Sequence, residues 1–257
     1  MTKGIVIVAS VKEVFKRLAL NLVDSLDDYA PDIPIFVSTI PEWADEFKDY
    51  DNVVEIRSDG PNNIRNKLWA LQHSPFDISC YMDADMEAKS ERVNEVFDLL
   101  DDDHDFAFTN IYAQTGASTM LYQEDYEKDP EWRDNDGVRH LRHHGGFFLW
   151  NKNRPNAALA AKRWWELWQE INENDEWWDN HPEFYRGNQS WDQFSWWWLC
   201  NKDIPDLKVQ EIEDDTYYQY QWNWCPGIPR WHTDPVPEDF EIILYHYPAH
   251  QIKQKME

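Results

Sequence analysis

Short apolar runs alternate with amphipathic stretches through the first 110 residues. Ile5 to Ala9 is rich in β-branched residues, which predicts a strand, and Val14 to Leu26 repeats apolar side chains at helical spacing. The same alternation continues along the chain. Ile33 to Val37 reads as a strand, and Pro41 opens a short helix. Val53 to Ile56 is a third strand. Asn63 to His73 is a helix with Ile64, Leu68 and Leu71 on one face. Phe76 to Met82 is a fourth strand, Glu91 to Leu100 a helix, and Phe106 to Thr109 a strand. Strand and helix in turn predict an α/β fold with a mostly parallel central sheet flanked by helices.

The pattern then changes. Tyr112 to Val138 is polar and acidic with few periodic apolar positions, too long for a simple connection, so it reads as a functional loop or lid. Gly145 to Trp150 reads as a strand, Asn156 to Ile171 and Ser190 to Leu199 as helices, and Ile242 to Tyr245 as a last strand. No internal repeat or Gly/Ser-rich linker interrupts the chain. A single domain is the simplest partition.

Composition sharpens this picture. The chain of 257 residues carries 24 Lys and Arg against 49 Asp and Glu, a net charge of −25. Such a balance argues against general nucleic-acid binding, which rewards clustered cations. Sixteen Trp argue against disorder. The N-terminal apolar run is shorter than a signal-peptide core, and no stretch approaches the roughly 18 apolar residues of a membrane span. Cys80, Cys200 and Cys225 match no zinc spacing and read as free, buried thiols. The expectation is a cytoplasmic protein with no membrane partner.

The sharpest chemical feature is Tyr81-Met82-Asp83-Ala84-Asp85. Two carboxylates two residues apart can share a hard divalent cation. Twenty-nine Asp make the spacing itself uninformative, since chance supplies about three such pairs. Asp101/Asp103 and Asp134/Asp136 are others. Only Asp83 and Asp85 follow a buried strand, at the carboxyl end where open α/β sheets bind ligands. Around them stand Asn66-Lys67-Leu68-Trp69-Ala70-Leu71 one helix upstream, then His144-Gly145-Gly146-Phe147-Phe148-Leu149, Asp192-Gln193, and His246 on the last strand.

The order of these motifs, from Ile5 to about Lys253, resembles the GT-A glycosyltransferases, most closely the family 8 retaining enzymes of the glycogenin and galactosyltransferase type. The resemblance implies a single GT-A domain with a nucleotide-binding half (1–110) and an acceptor and donor-sugar half (111–257). It implies transfer of a sugar from a nucleoside diphosphate sugar, with UDP as the expected nucleotide, to an acceptor that the sequence does not name (a saccharide, a protein or a modified nucleobase). It implies Mn²⁺ or Mg²⁺ held by Asp83, Asp85 and His246, with Asp83 also on the ribose. Lys67 would reach the sugar nucleotide, and Lys253 would add charge on the phosphates. Gly145 and Gly146 would form the small-residue turn beside the donor sugar. Asp192 and Gln193 would line the sugar and acceptor face, and the first strand near Ala9 and Ser10 would face the nucleobase.

The chain departs from the family pattern in two places. After His246 the expected Gly is missing and Lys253 comes one position late, so His246 and His250 both stand as third-ligand candidates. The Asn that precedes the small-residue turn is replaced by His143 or His144. Plainer readings stand beside each assignment. Asp83 and Asp85 could be a solvated loop, His246 a structural histidine, and Asp192 the cap of the helix ahead of Trp196. Arg139, Arg142, His143 and His144 form a basic cluster that is either a solvated face or a phosphate or acceptor contact. The Trp-rich stretch from Trp164 to Trp198 admits a sugar-stacking reading, but packing is preferred for most of it, since Trp164 and Trp168 share a helix face. At the level of function, the alternatives are an inactive acidic binding protein on the same fold and a nucleotidyltransferase. The latter is disfavoured because Ala9-Ser10-Val11-Lys12 lacks a Gly-rich phosphate loop.

Overall fold

The computed structural model describes residues 1–110, 121–128, 141, 143–172, 174–212, 221–223, 240–248 and 251–252. Seven strands form the main sheet: β1 (Lys3–Val8), β2 (Ile35–Ser38), β3 (Val53–Arg57), β4 (Ile78–Met82), β6 (Phe106–Asn110), β7 (His143–Asn151) and β8 (Val209–Glu211), in the order β3-β2-β1-β4-β7-β6-β8. Two further strands, β5 (Met86–Ala88) and β9 (Leu244–His246), pair with each other. The pairings β3·β2, β2·β1, β1·β4 and β6·β8 are parallel; β7 runs against both its neighbours. The sheet is thus mostly parallel, with one reversed strand that the sequence pattern did not reveal.

β1 from Gly4 and all of β4 are buried because both faces of the sheet are covered. Ile5, Ile7, Cys80 and Met82 pack on one side against Leu18, Leu22 and Leu26 of helix α1 (Glu13–Tyr29). Val6, Val8 and Tyr81 face the other side, toward α2 (Asn66–His73) and α4 (Pro155–Ile171). The two-residue period of each strand divides its side chains between the two cores. On α4, Ala157, Ala160, Ala161, Trp164, Trp168 and Ile171 form the buried stripe. Trp164, Trp168, Trp178, Trp196 and Trp197 are all buried, so these tryptophans are packing residues.

Several sequence expectations shift. Helix α2 begins at Asn66, not Asn63, and Ile64 is 61% exposed rather than on the buried face. The cause is local: Asn63 Oδ1 accepts the Arg65 amide at 2.8 Å, a side-chain turn that competes with the first helical turn. Glu91–Leu99 is a 3-10 helix started by Ser90, whose Oγ accepts the Arg92 amide. Within the expected loop lies α3 (Gln123–Lys128), preceded by buried Leu121 and by Tyr122, which bridges to Phe184. The rest of that loop, with Arg139, Arg142, Cys225, His250 and Lys253, lies outside the described residues. Among the described thiols, Cys80 is buried and Cys200 half-buried, and both are free.

After α4 come α5 (Asp175–Asp179) and α6 (Asp192–Trp198), which leads into a single π turn. No helix among the described residues is long and apolar enough to cross a membrane.

Candidate active site

In the order β3-β2-β1-β4, the chain leaves β1 toward β2 on one side and returns to β4 on the other. The crevice beyond the carboxyl ends of β1 and β4 is therefore the switch point at which open sheets bind ligands. A cleft of about 280 Å³ opens there, lined among others by Ser10, Val11, Arg65, Lys67, Tyr81, Asp83 and Asp85. Ser10 reaches it, whereas Ala9 is fully buried beneath. At its rim Val11 holds φ 73°, a left-handed conformation unusual for a β-branched residue. The Val11 amide is pinned on Asn62 Oδ1 at 2.7 Å, and Ser10 Oγ donates to Asn63 O at 3.0 Å.

Asp83 extends the ladder one residue past β4, its amide donating to Gly146 O at 2.8 Å. Tyr81 Oη donates to Asp83 Oδ1 at 2.6 Å. The distant His246 arrives through the small sheet. Met86 of β5 is in register with His246 of β9, and the Tyr247 amide donates to Asp85 O at 2.8 Å. As a result, Asp83, Asp85 and His246 each offer a ligand atom within 4.8 Å of the others. His246 Nε2 stands 3.3 Å from Asp85 Oδ1.

A second cluster adjoins the first. Asp192 is the first residue of α6. Trp191 occupies the cap position and no side-chain cap bond forms, so the helix-cap reading of Asp192 is set aside. Its carboxylate instead pairs with Lys67 Nζ at 2.7 Å and with Arg65 at 3.2 Å. Lys67 Nζ also donates to Gly145 O at 2.7 Å, and Arg65 to Ser190 O at 3.0 Å. Both glycines are required by close approach. A Cβ on Gly145 would stand 2.6 Å from Asp192 Oδ2, and one on Gly146 2.7 Å from both Asp83 Oδ2 and His144 Cε1. Gln193, half-buried, follows on α6 and has a buried Oε1 with no partner among the described residues.

The two neighbouring histidines divide. His143 accepts the Trp196 indole N–H at 2.8 Å and packs on Phe108. His144 lies edge-on to His246, with ring centroids 5.4 Å apart, so it is His144 that belongs to the site.

Burial raises the Asp83 carboxyl, opposed by Lys67 and reinforced by Asp85. Burial also works against an ionised Asp85, but His246 beside it brings Asp85 below the usual carboxylate range. Burial would keep His246 neutral; Asp85 and Asp83 outweigh it and raise its pKa. Burial, with His246 and Lys67 nearby, pushes His144 down to about 3. For Asp192 the burial penalty is more than reversed by Lys67 and Arg65, which hold it at about 2.

Two carboxylates and one imidazole form an oxygen-rich donor set that could hold a divalent cation. Arg65 and Asn223 were not anticipated from sequence. Arg65 could have been found from the polar run Asn62-Asn63-Ile64-Arg65-Asn66-Lys67. Asn223, whose Oδ1 stands 2.8 Å from His246 Nδ1, carried no signal.

Neither a protein-family model nor a curated protein sequence matches the chain. Solved structures do share its fold. The glycosyltransferase GlyE of Streptococcus pneumoniae TIGR4 aligns with a TM-score of 0.55 at 14% identity, over 97% of this chain and 55% of that one. The chain therefore spans about half the length of GlyE. Mouse xyloside xylosyltransferase 1 aligns with a TM-score of 0.56 at 11% identity, over 97% of this chain and 99% of that one. An active-site mutant of LgtC gives 0.51 at 15% identity, over 96% and 87%. At these identities the likeness is one of fold, and the fold is that of the GT-A glycosyltransferases.

Proposed function

We propose that this chain is a glycosyltransferase that moves a sugar from a nucleoside diphosphate sugar, with UDP as the nucleotide, onto an acceptor, with retention at the anomeric carbon. The observation that carries the reading is the convergence of Asp83, Asp85 and His246 beside the Lys67–Asp192–Arg65 cluster, at the switch point of a GT-A sheet. These three residues would hold Mn²⁺ or Mg²⁺, which when bound supplies Lewis-acid stabilisation to a departing diphosphate.

The chain's own residues do the rest. Lys67 and Arg65 are fixed cations on the cleft wall, in place before any charge develops, so no reorganisation is needed when it does. Asp192 is ionised at neutral pH and immobilised by both of them. A carboxylate held so firmly favours steadying the oxocarbenium-like centre through its charge over leaving its pairs to attack. Gly145 and Gly146 let backbone and carboxylates lie close enough to wrap a sugar. Ser10 and the pinned Val11 loop form the wall toward the base.

The test is thermal unfolding against a panel of nucleotide sugars with and without Mn²⁺, because a ligand bound to the folded state raises its stability. Stabilisation by one donor with Mn²⁺, together with release of its nucleoside diphosphate, is the expected result. No shift with any donor in the presence of Mn²⁺ would overturn the proposal.

A further inference from the structure

Behind the carboxylates lies a chain of hydrogen bonds whose direction is fixed from one end. It starts at a backbone donor. The Gly146 amide points at His144 Nδ1 at 3.1 Å. An amide N–H can only donate, so His144 Nδ1 must be a bare acceptor. The Asn223 side chain approaches the same nitrogen at 3.2 Å, and against an acceptor it must present its NH₂. That NH₂ also donates to Thr109 Oγ1 at 3.2 Å. With the amide so oriented, Asn223 Oδ1 faces His246 Nδ1 at 2.8 Å, and an oxygen there demands a proton on that nitrogen. The remaining nitrogen, His246 Nε2, is the one that faces Asp85. An ordinary Asn side chain could be turned over to exchange its oxygen and nitrogen. Here the reversed orientation would set an acceptor oxygen against a bare ring nitrogen at His144.

We propose that Asn223 is the positioning residue of this site. It fixes the proton of neutral His246 on Nδ1, so that the Nε2 lone pair is offered between Asp83 and Asp85. The Gly146 amide at the start of the chain leaves neutral His144 with its proton on Nε2. The role of Nε2 as a cation ligand rests on the metal reading above; the fixed tautomers do not. Partners on the far ring nitrogen of a ligating histidine orient the ring, and losing one costs about 10- to 100-fold in metal affinity.

Two variants separate this from a merely structural role. Asn223→Asp keeps an oxygen acceptor for the His246 Nδ1–H while losing the donor that faces His144; Asn223→Leu keeps approximate size and removes every polar partner. The first measurement is ¹⁵N NMR of the imidazoles without metal, at a pH where titration shows both rings neutral. The expected wild-type pattern is a protonated Nδ1 on His246 and a protonated Nε2 on His144, with the His246 preference kept in Asn223→Asp and lost in Asn223→Leu. A wild-type His246 protonated on Nε2 would overturn the proposal. The second measurement is Mn²⁺ titration by calorimetry on folded protein. Asn223→Leu is expected to bind at least about tenfold more weakly, with Asn223→Asp no weaker than about threefold below wild type. Unchanged Mn²⁺ affinity in Asn223→Leu would overturn the positioning role. A wild-type protein with the expected tautomers but no Mn²⁺ binding would overturn the metal reading and leave the fixed tautomers standing.

Discussion

At the scale of single residues, Asp192 carries the sharpest expectations. Its charge matters most when positive charge grows at an anomeric carbon. Asp192→Asn should therefore lower turnover by at least about tenfold, some 1.4 kcal/mol of barrier, while donor affinity stays within about threefold. Full activity in a folded Asp192→Asn protein would remove its catalytic role. The same carboxyl makes a statement about stability and pH. Its pKa in the folded protein, about 2, lies below the ordinary carboxylate value. Folding therefore gains from its ionisation above about pH 4, and the gain fades as pH falls through 2, for about 2 kcal/mol in all. The stability gap between wild type and Asp192→Asn, from urea unfolding, should narrow by roughly that amount between pH 5 and 2. A gap independent of pH would mean that the Lys67 and Arg65 pairs do not depress this group. Asp83 and Asp85 stood out in the sequence because they follow an apolar strand run, whereas Asp192 was singled out only through the family resemblance. Arg65 was not singled out, and Asn223 could not be, because its role exists only once β7, β9 and the 221–223 turn meet.

At the scale of elements, length decided what could be read. The apolar runs of β1 and β4 and the long stripe of α4 leave clear periodic signatures. β5, β8 and β9 have three residues each, too few to show any period. Yet β5 and β9 deliver His246, since their register sets Met86 opposite His246 and a one-residue slip would turn the imidazole to the other face. The expected last strand, Ile242 to Tyr245, stops one residue short of the side chain that matters; the observed strand includes it. α6 depends on α4 in a comparable way. Trp164 is buried, and its indole N–H meets Asp192 O at 3.2 Å and Ser195 Oγ at 3.0 Å. Trp164→Phe should keep most of the packing and remove the indole donor, while Ser195 Oγ still donates to Asp192 O at 2.9 Å, so the cost should be that of one hydrogen bond, about 0.5–1.5 kcal/mol. Chemical denaturation measures this directly. A change below about 0.5 kcal/mol would show that the indole does not anchor the start of α6.

At the scale of the whole molecule, the problem is charge. A net −25 protein repels a diphosphate before any contact is made. Inside the cleft, Lys67 and Arg65 are already engaged with Asp192, and Asp83 and Asp85 add negative charge beside them. The two cations therefore leave one of the three carboxylates uncompensated, and a diphosphate entering without a divalent ion would not meet a positive site. With Mn²⁺ shared by Asp83, Asp85 and His246, the local balance reverses. UDP-sugar affinity measured by calorimetry should accordingly be at least about tenfold higher with Mn²⁺ than in EDTA, or about 1.4 kcal/mol. Added salt should separate the two terms. Long-range repulsion from the acidic surface is screened within about 8–10 Å at physiological ionic strength, whereas charges buried in the cleft are screened much less. Raising the salt in EDTA should recover only a small part of the lost affinity if the cleft carboxylates dominate. If salt alone restored binding to the Mn²⁺ level, surface repulsion would explain the effect. Equal affinity with and without EDTA would remove the metal role of Asp83 and Asp85 altogether.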